Sequence, residues 1–332
     1  MKETSVLTTM ASSLIQTVRT IGVGVAMMCA LTVHAWPDKP VRIVVGFAPG
    51  GAPDAAARVI AEQLQKKYGQ AFTVDNRAGA GGRLATDNVA KSDPDGHVIG
   101  ILVGGDTVVA ASDPKLPYNL QRDFQFVTTL SVYPFVVVAG PDSKVKSTKT
   151  ILDIARNDAG AVRYATPGRG TTQHLAAEMM AASAGVNITD VPYKGSAAAM
   201  TDVLSARVDF TIAAYNTVRA DIEAGKLKAV AVTSRERMAS LPNVPSISED
   251  IPGYDVTTWM GAAVPAKTPA AVVEQLAKDL GEVMAMPAVR ERFQSIGLDP
   301  VVGTQAEMRT RVDNDIARWK QVMQARKIDL TQ

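Results

Sequence analysis

Val41-Arg-Ile-Val-Val45 runs directly into Gly46-Phe-Ala-Pro-Gly-Gly51 and then into Ala52-Pro-Asp-Ala-Ala-Ala-Arg-Val-Ile60. The first five residues are mostly β-branched and read as a buried strand. The glycine run breaks that strand, and Pro53 falls in the first turn of a helix, where a missing N–H is tolerated. Ala56, Val59, Ile60 and Leu64 give the helix one apolar face, and Gly69 terminates it. The same unit returns at once, as a strand at Phe72-Thr-Val74, a helix over 84–91 and a strand over 97–103. Strands alternating with helices through short connections predict an α/β fold with parallel sheets covered on both faces.

The middle of the chain repeats the plan. A strand over 135–138 precedes a helix over 148–156, and Val162-Arg-Tyr-Ala165 leads through Thr166-Pro-Gly-Arg-Gly170 into a helix over 172–184. Strands are expected over 188–191, 208–213 and 229–233, with a helix over 196–206. The turn-rich stretch 241–253 reads as a connection between lobes. Towards the C-terminus, Thr268 followed by Pro269 predicts the cap of a helix striped by Val272, Val273, Leu276, Leu280 and Val283. Thr304 and Glu307 form a capping box for a last helix running to about Arg326.

Composition narrows the function. The chain has 332 residues, enough for two domains, and its 46% apolar content with 20% charge is that of a packed globular protein. A formal charge of +2 and 5% aromatic residues supply neither a basic stripe nor a stacking platform, so no nucleic-acid partner is expected. The single cysteine, Cys29, rules out an intrachain disulfide and a multi-cysteine metal site. His97 and His174 have no histidine or cysteine at ligand spacing, and neither a G-x-S-x-G elbow nor a G-K-[ST] phosphate loop occurs. No catalytic residue, metal or cofactor is expected.

The first 35 residues read as a cleaved signal peptide. Lys2 and Arg19 give a positive bias, a thirteen-residue apolar run follows from Ile21 to Val33, and Val33 and Ala35 stand at the cleavage positions. That run is short for a membrane span, which takes about 20 residues. Met27-Met28 before Cys29 is too bulky a context for a lipid anchor. Cleavage after Ala35 removes the only cysteine and suits an oxidising periplasm.

Glycine loops are the informative feature. Phe47-Ala-Pro-Gly-Gly-Ala-Pro-Asp54, Asn76-Arg-Ala-Gly-Ala-Gly-Gly-Arg83 and Thr166-Pro-Gly-Arg-Gly-Thr-Thr-Gln173 each join a strand to a helix. Glycines let the backbone approach a ligand, and the free N–H groups of the following helix favour an anion. Each loop alone is also a plain β–α turn; three at strand C-termini mark the place where open α/β sheets bind ligands. Gly168-Arg-Gly170-Thr-Thr-Gln173 nearly spells a dinucleotide fingerprint, with Gln173 in place of the third glycine. An α/β enzyme binding a nucleotide or acidic substrate is therefore the alternative reading.

Taken in order, Trp36-Pro-Asp-Lys-Pro40, Pro49-Gly-Gly51, Asp54, Arg58, Asn76-Arg77, Gly79-Ala-Gly-Gly82, Asp93-Pro-Asp-Gly96, Leu116-Pro-Tyr118, Gly170-Thr-Thr-Gln-His-Leu-Ala176, Val191-Pro-Tyr-Lys-Gly-Ser196, Leu241-Pro-Asn-Val-Pro245 and Trp259 resemble the Bug-type extracytoplasmic solute receptors. These are the binding components of tripartite tricarboxylate transporters. The resemblance implies a bilobed periplasmic binding protein, two α/β domains joined by a two-crossover hinge, with lobe one at 36–135 plus 255–332 and lobe two at 136–254. It implies a non-enzymatic, monomeric receptor that holds a small carboxylate between the lobes and delivers it to membrane subunits. Carried onto this chain, the ligand-binding residues are Ala48, Gly50, Gly51, Asp54, Gly79, Ala80, Gly81 and Gly82 in lobe one. Lobe two contributes Thr166, Gly168, Thr171, Thr172, Gln173 and Lys194. Ile212-Ala213 stands where the family usually has a Phe-Asp pair, and the following Tyr215-Asn216 brings Asn216 into the set. Several of these residues have a second, structural reading. Asp54 also suits a first helical turn, Thr171 and Thr172 compete as helix cap, Trp259 suits a core, and Arg77, Arg169 and Lys194 read as solvated charges.

Overall fold

The computed structural model describes residues 36–193, 195–328 and 330, so the expected signal peptide lies outside the described residues. Contacts separate a short unit ending at Asp38 from a main unit, Lys39–Gln332, which holds every named element. Strands β1 (Val41–Val45), β2 (Phe72–Asn76) and β3 (Val98–Val103) are parallel, in the order β2-β1-β3. Helix α1 (Ala52–Tyr68) joins the first two, starting at Gly51 with Pro53 in its first turn and ending at a left-handed Gly69. Helix α2 (Arg83–Ala90) follows a single tight turn at Ala80–Gly82. From β3 the chain passes straight into α3 (Gly104–Ser112), a helix absent from the sequence-based expectation.

Strand β4 (Phe124–Ala139) is 16 residues long, so the expected strand over 135–138 is only its far end. Beyond it come α4 (Thr148–Asn157), β5 (Arg163–Thr166), α5 (Thr172–Ala184), β6 (Thr189–Pro192), α6 (Ser196–Leu204), β7 (Phe210–Ala214), α7 (Tyr215–Glu223) and β8 (Lys228–Val232). The remainder is β9 (Thr257–Pro265), α8 (Ala270–Ala285), α9 (Pro287–Ser295) and α10 (Gln305–Arg326). Thr268 does not cap α8: its hydroxyl turns back to Pro265 O at 2.8 Å, and Pro269 takes the cap position. The Thr304–Glu307 capping box of α10 is present as read.

The sheet is mixed rather than parallel throughout. Its order is β2-β1-β3-β9-β4-β7-β5-β6, with β8 also on β4. β9 runs antiparallel to both β3 and β4, and β4 runs antiparallel to β7 and β8. The partners of β4 change along its length: Phe124 to Pro134 pair with β9, and Phe135 to Ala139 pair with β7 and β8. Consequently β1, β2 and β3 point their C-terminal ends towards the second half, and β5 and β7 point theirs towards the first.

Each half has its own core, and α10 serves both. Met308, Val312 and Ile316 join Val44, Leu102, Phe126 and Trp259 in one cluster. Trp319, Val322 and Met323 join Val137, Tyr164, Leu175 and Phe210 in the other. The segment 255–332 thus divides its side chains between the two clusters. Trp259 is fully buried, its indole N–H donating to Asp315 at 2.8 Å, so it is a core residue.

Candidate functional site

The first glycine loop is held in shape by Asp54. Its carboxylate accepts hydrogen bonds from Gly50 N–H (2.9 Å), Arg58 Nε (3.0 Å) and Asn76 Nδ2 (3.0 Å). Burial raises the carboxyl, but these bonds outweigh it and hold the group below the usual carboxylate range. Asn76 also reaches Phe47 O at 3.0 Å, which ties the loop to the end of β2. Asp54 therefore braces Ala48, Gly50 and Gly51 from within.

The first and second loops touch through glycines. A Cβ on Gly46 would lie 2.9 Å from Gly82 Cα, an approach no side chain allows. Gly79, Gly81 and Gly82 have φ of +140°, +68° and +100°, the left-handed region that favours glycine. The backbone of Ala80 belongs to this turn. The Arg77 side chain is partly exposed and also paired with Asp75 at 2.9 Å.

The third loop folds around threonines. Thr166 Oγ1 donates to Gly168 O at 3.0 Å, and Thr171 Oγ1 donates to the same carbonyl at 2.8 Å. Thr171 also accepts from His174 N–H at 3.2 Å and is the N-cap of α5, which settles the competition between the two threonines. Arg169, expected as a free loop charge, grips Asp190 with two bonds of 2.7 and 3.1 Å. Thr172 and Gln173 follow as the first residues of α5, Thr172 being 5% exposed. Lys194 lies outside the described residues.

Sequence reasoning missed the start of α3. Asp106 turns one oxygen back to Val103 N–H (2.8 Å) and the other to Thr86 Oγ1 (2.8 Å), fastening β3, α2 and α3 together beneath the second loop. Burial pushes its carboxyl up to about 6, although both hydrogen bonds work the other way. A Cβ on Gly105 would lie 4.0 Å from Thr172 Oγ1, so the start of α3 faces the start of α5. The signal was present in the sequence, since Gly104-Gly-Asp106 after an apolar strand matches the glycine-then-acid order of the first loop.

Asn216 stands apart from these four segments. A Cβ on Gly297 would lie 2.1 Å from Asn216 Cβ, and Asn216 lines a cavity of about 510 Å³ with Tyr133, Pro134 and Tyr215. The structure thus brings together loops one and two, the start of α3, and through Thr172 the third loop. What these segments offer chemically is a set of uncharged donors. The nearby arginines are engaged within the chain: Arg58 with Asp54, Arg77 with Asp75, Arg83 with Asp113 and Arg169 with Asp190. Among the described residues no cluster of His, Cys, Asp and Glu could hold a metal ion.

The chain matches the model of the tripartite tricarboxylate transporter family receptors over residues 56–328. A protein of Pseudomonas sp. (strain P51), described as a UPF0065 protein in the tcbD-tcbE intergenic region, is 37% identical over 308 residues, 91% of this chain and 92% of the relative. Among solved structures, R. palustris Rpa4515 with adipate is 32% identical with a TM-score of 0.77, covering 89% of this chain and 99% of that one. MatC (Rpa3494) from Rhodopseudomonas palustris with bound malate is 28% identical with a TM-score of 0.74, covering 86% of this chain and 99% of that one. A family match running from α1 to the end of α10, on a sheet whose strands carry the glycine loops at facing ends, makes this chain a member of the tripartite tricarboxylate transporter receptor family.

Proposed function

We propose that this protein is a periplasmic receptor that captures a small carboxylate between its two halves and delivers it to the membrane subunits of a tripartite tricarboxylate-type transporter. The observation that carries the reading is the convergence of uncharged donors on loops whose arginines are already paired. Helix starts and hydroxyls hold a carboxylate without a neutralising cation, because the orphan N–H groups there carry a partial positive charge. The relatives solved with adipate and malate support an acid of that size. Lobes at 36–135 plus 255–332 and at 136–254 are supported by the change of partners on β4 between Pro134 and Phe135. The receptor acts as a monomer, does no chemistry on its ligand, and reaches the periplasm through its N-terminal signal.

A thermal-shift panel of small acids, followed by calorimetry and product analysis, tests this reading. Ligand at about 100 times its dissociation constant should stabilise the protein by about 2.7 kcal/mol, with one site per chain and no turnover. Product formation, or a shift from a sugar with none from any carboxylate, would overturn it.

A further inference from the structure

A loop rich in glycine has many backbone shapes open to it, so holding one shape takes a brace. Asp54 braces the first loop through Gly50 N–H, and the close approach of Gly46 to Gly82 braces the second. The third loop is less well supported. A cavity of about 300 Å³ adjoins it, lined by Arg169, His174, Glu178, Asp190 and Arg326 among others. Its Gly170 N–H makes only a long bond, 3.4 Å, to His174 Nδ1.

Gly170 lies in the left-handed region, with φ of +81°, and a side chain from far along the sequence covers it. A Cβ placed on Gly170 would be 3.1 Å from Leu330 Cδ1, 3.7 Å from Cδ2 and 3.8 Å from Cγ. All three of the nearest atoms therefore belong to Leu330. Its isopropyl group packs over the α-carbon of Gly170 on the side where any other residue would carry a side chain.

Leu330 reaches that place from a fixed base. Helix α10 ends at Lys327, whose left-handed φ of +52° turns the chain, and Ile328 N–H closes the turn on Met323 O at 2.9 Å. The end of α10 is fastened to α5 and the segment after it. Arg326 Nε donates to Glu178 Oε2 at 2.7 Å, and its Nη1 donates to Val186 O at 3.2 Å. Beyond the turn, Ile328 and Leu330 pack against the core that holds Tyr164 and Leu175.

We propose that Leu330 is a positioning residue of the receptor: by filling the space over Gly170 it holds the third loop, and with it the start of α5, in the arrangement that meets the ligand. The proposal rests on the receptor reading above and adds to it a residue more than a hundred positions away on which affinity depends. Leu330 touches no ligand and acts through the backbone of Gly170. With Leu330 shortened the loop takes other shapes, and apparent affinity falls with the share of molecules whose loop is in place.

Leu330→Ala, Leu330→Met and a control, Ile154→Val, are compared with the unaltered chain. The readouts are calorimetric affinity for adipate, malate and citrate, melting temperature, and amide order parameters without ligand. Ile154 packs on the same core from α4. Leu330→Ala should bind about fivefold more weakly, as expected when the loop is in place in about a fifth of the molecules. Its order parameters should fall at Gly168 and Gly170 and stay unchanged at Gly50. Leu330→Met, close in volume, should restore both affinity and order. Ile154→Val should lower the melting temperature and leave affinity unchanged. Full affinity in Leu330→Ala, whatever its melting temperature, would overturn the proposal and leave the receptor reading intact. Weakening as large in Leu330→Met or in Ile154→Val would overturn it as well, since lost packing alone would then explain the effect. Binding of none of the three acids by the unaltered chain would overturn both readings.

Discussion

Asp106 is a carboxylate buried where no cation faces it. The groups against it are Val103 N–H from β3, the Thr86 hydroxyl from α2, the backbone of Gly82 and the ring of Tyr118. Burial pushes its carboxyl up to about 6, whereas an aspartate in an unfolded chain titrates near about 4. Between those values the folded protein keeps a proton that the unfolded chain releases. Stability from this group is therefore fully present below about pH 4 and is lost as pH rises towards 6. The loss is on the order of 2–3 kcal/mol, and Asp106→Asn should remove it. Urea denaturation of both proteins at intervals from pH 4 to 7 checks the point; parallel profiles would mean that Asp106 is ionised throughout. At this scale the sequence was informative about Thr171, Asp54 and Trp259 only to the extent of offering two roles for each. Which role a side chain takes depends on partners far along the chain, as Asn76 is for Asp54 and Asp315 is for Trp259.

Among the elements, α5 sets its cap, Thr171, beside Thr172, the residue proposed to meet the ligand. Thr171→Ala removes the cap on His174 N–H and should cost about 1 kcal/mol of stability, read as a lower urea midpoint. Thr172→Ala removes a hydroxyl that supports no other group, so stability should stay within about 0.5 kcal/mol. Its affinity for the bound acid should drop roughly ten- to a hundredfold by calorimetry, the worth of one hydrogen bond to a charged group. A stability loss at Thr172 with unchanged affinity would exchange the two roles. The limits of α5 were legible because a threonine cap and a left-handed Gly185 bracket an apolar run. β9 was not, because Gly261 and the alanines after it are poor strand formers. The fold needs them small: a Cβ on Gly261 would lie 2.5 Å from Met308 Cε of α10. α3 was illegible for the opposite reason, since Thr107, Val108 and Val109 favour a strand and only burial against both cores makes them helical.

For the whole molecule, the consequential element is α10. It reaches from Met308 in one core to Met323 in the other, and Trp319 Nε1 donates to Thr107 Oγ1 at 3.1 Å. Trp319→Ala leaves a large void and should cost about 3–5 kcal/mol in a single cooperative transition, measured by denaturation. Two separate transitions would mean that the halves fold independently. The overall two-part plan was legible from the strand–helix alternation, but the sharing of α10 was not. Its stripe of apolar residues looks the same whether it covers one core or two. There is a consequence in time as well as in space. The residues of α10 are the last large contribution to either core, and a ribosome reaches Gln305 only after about nine-tenths of the chain has been made. Until then neither half can close over its buried face. Translation therefore runs nearly to the end of α10 before folding can finish, and through that interval both cores stay open.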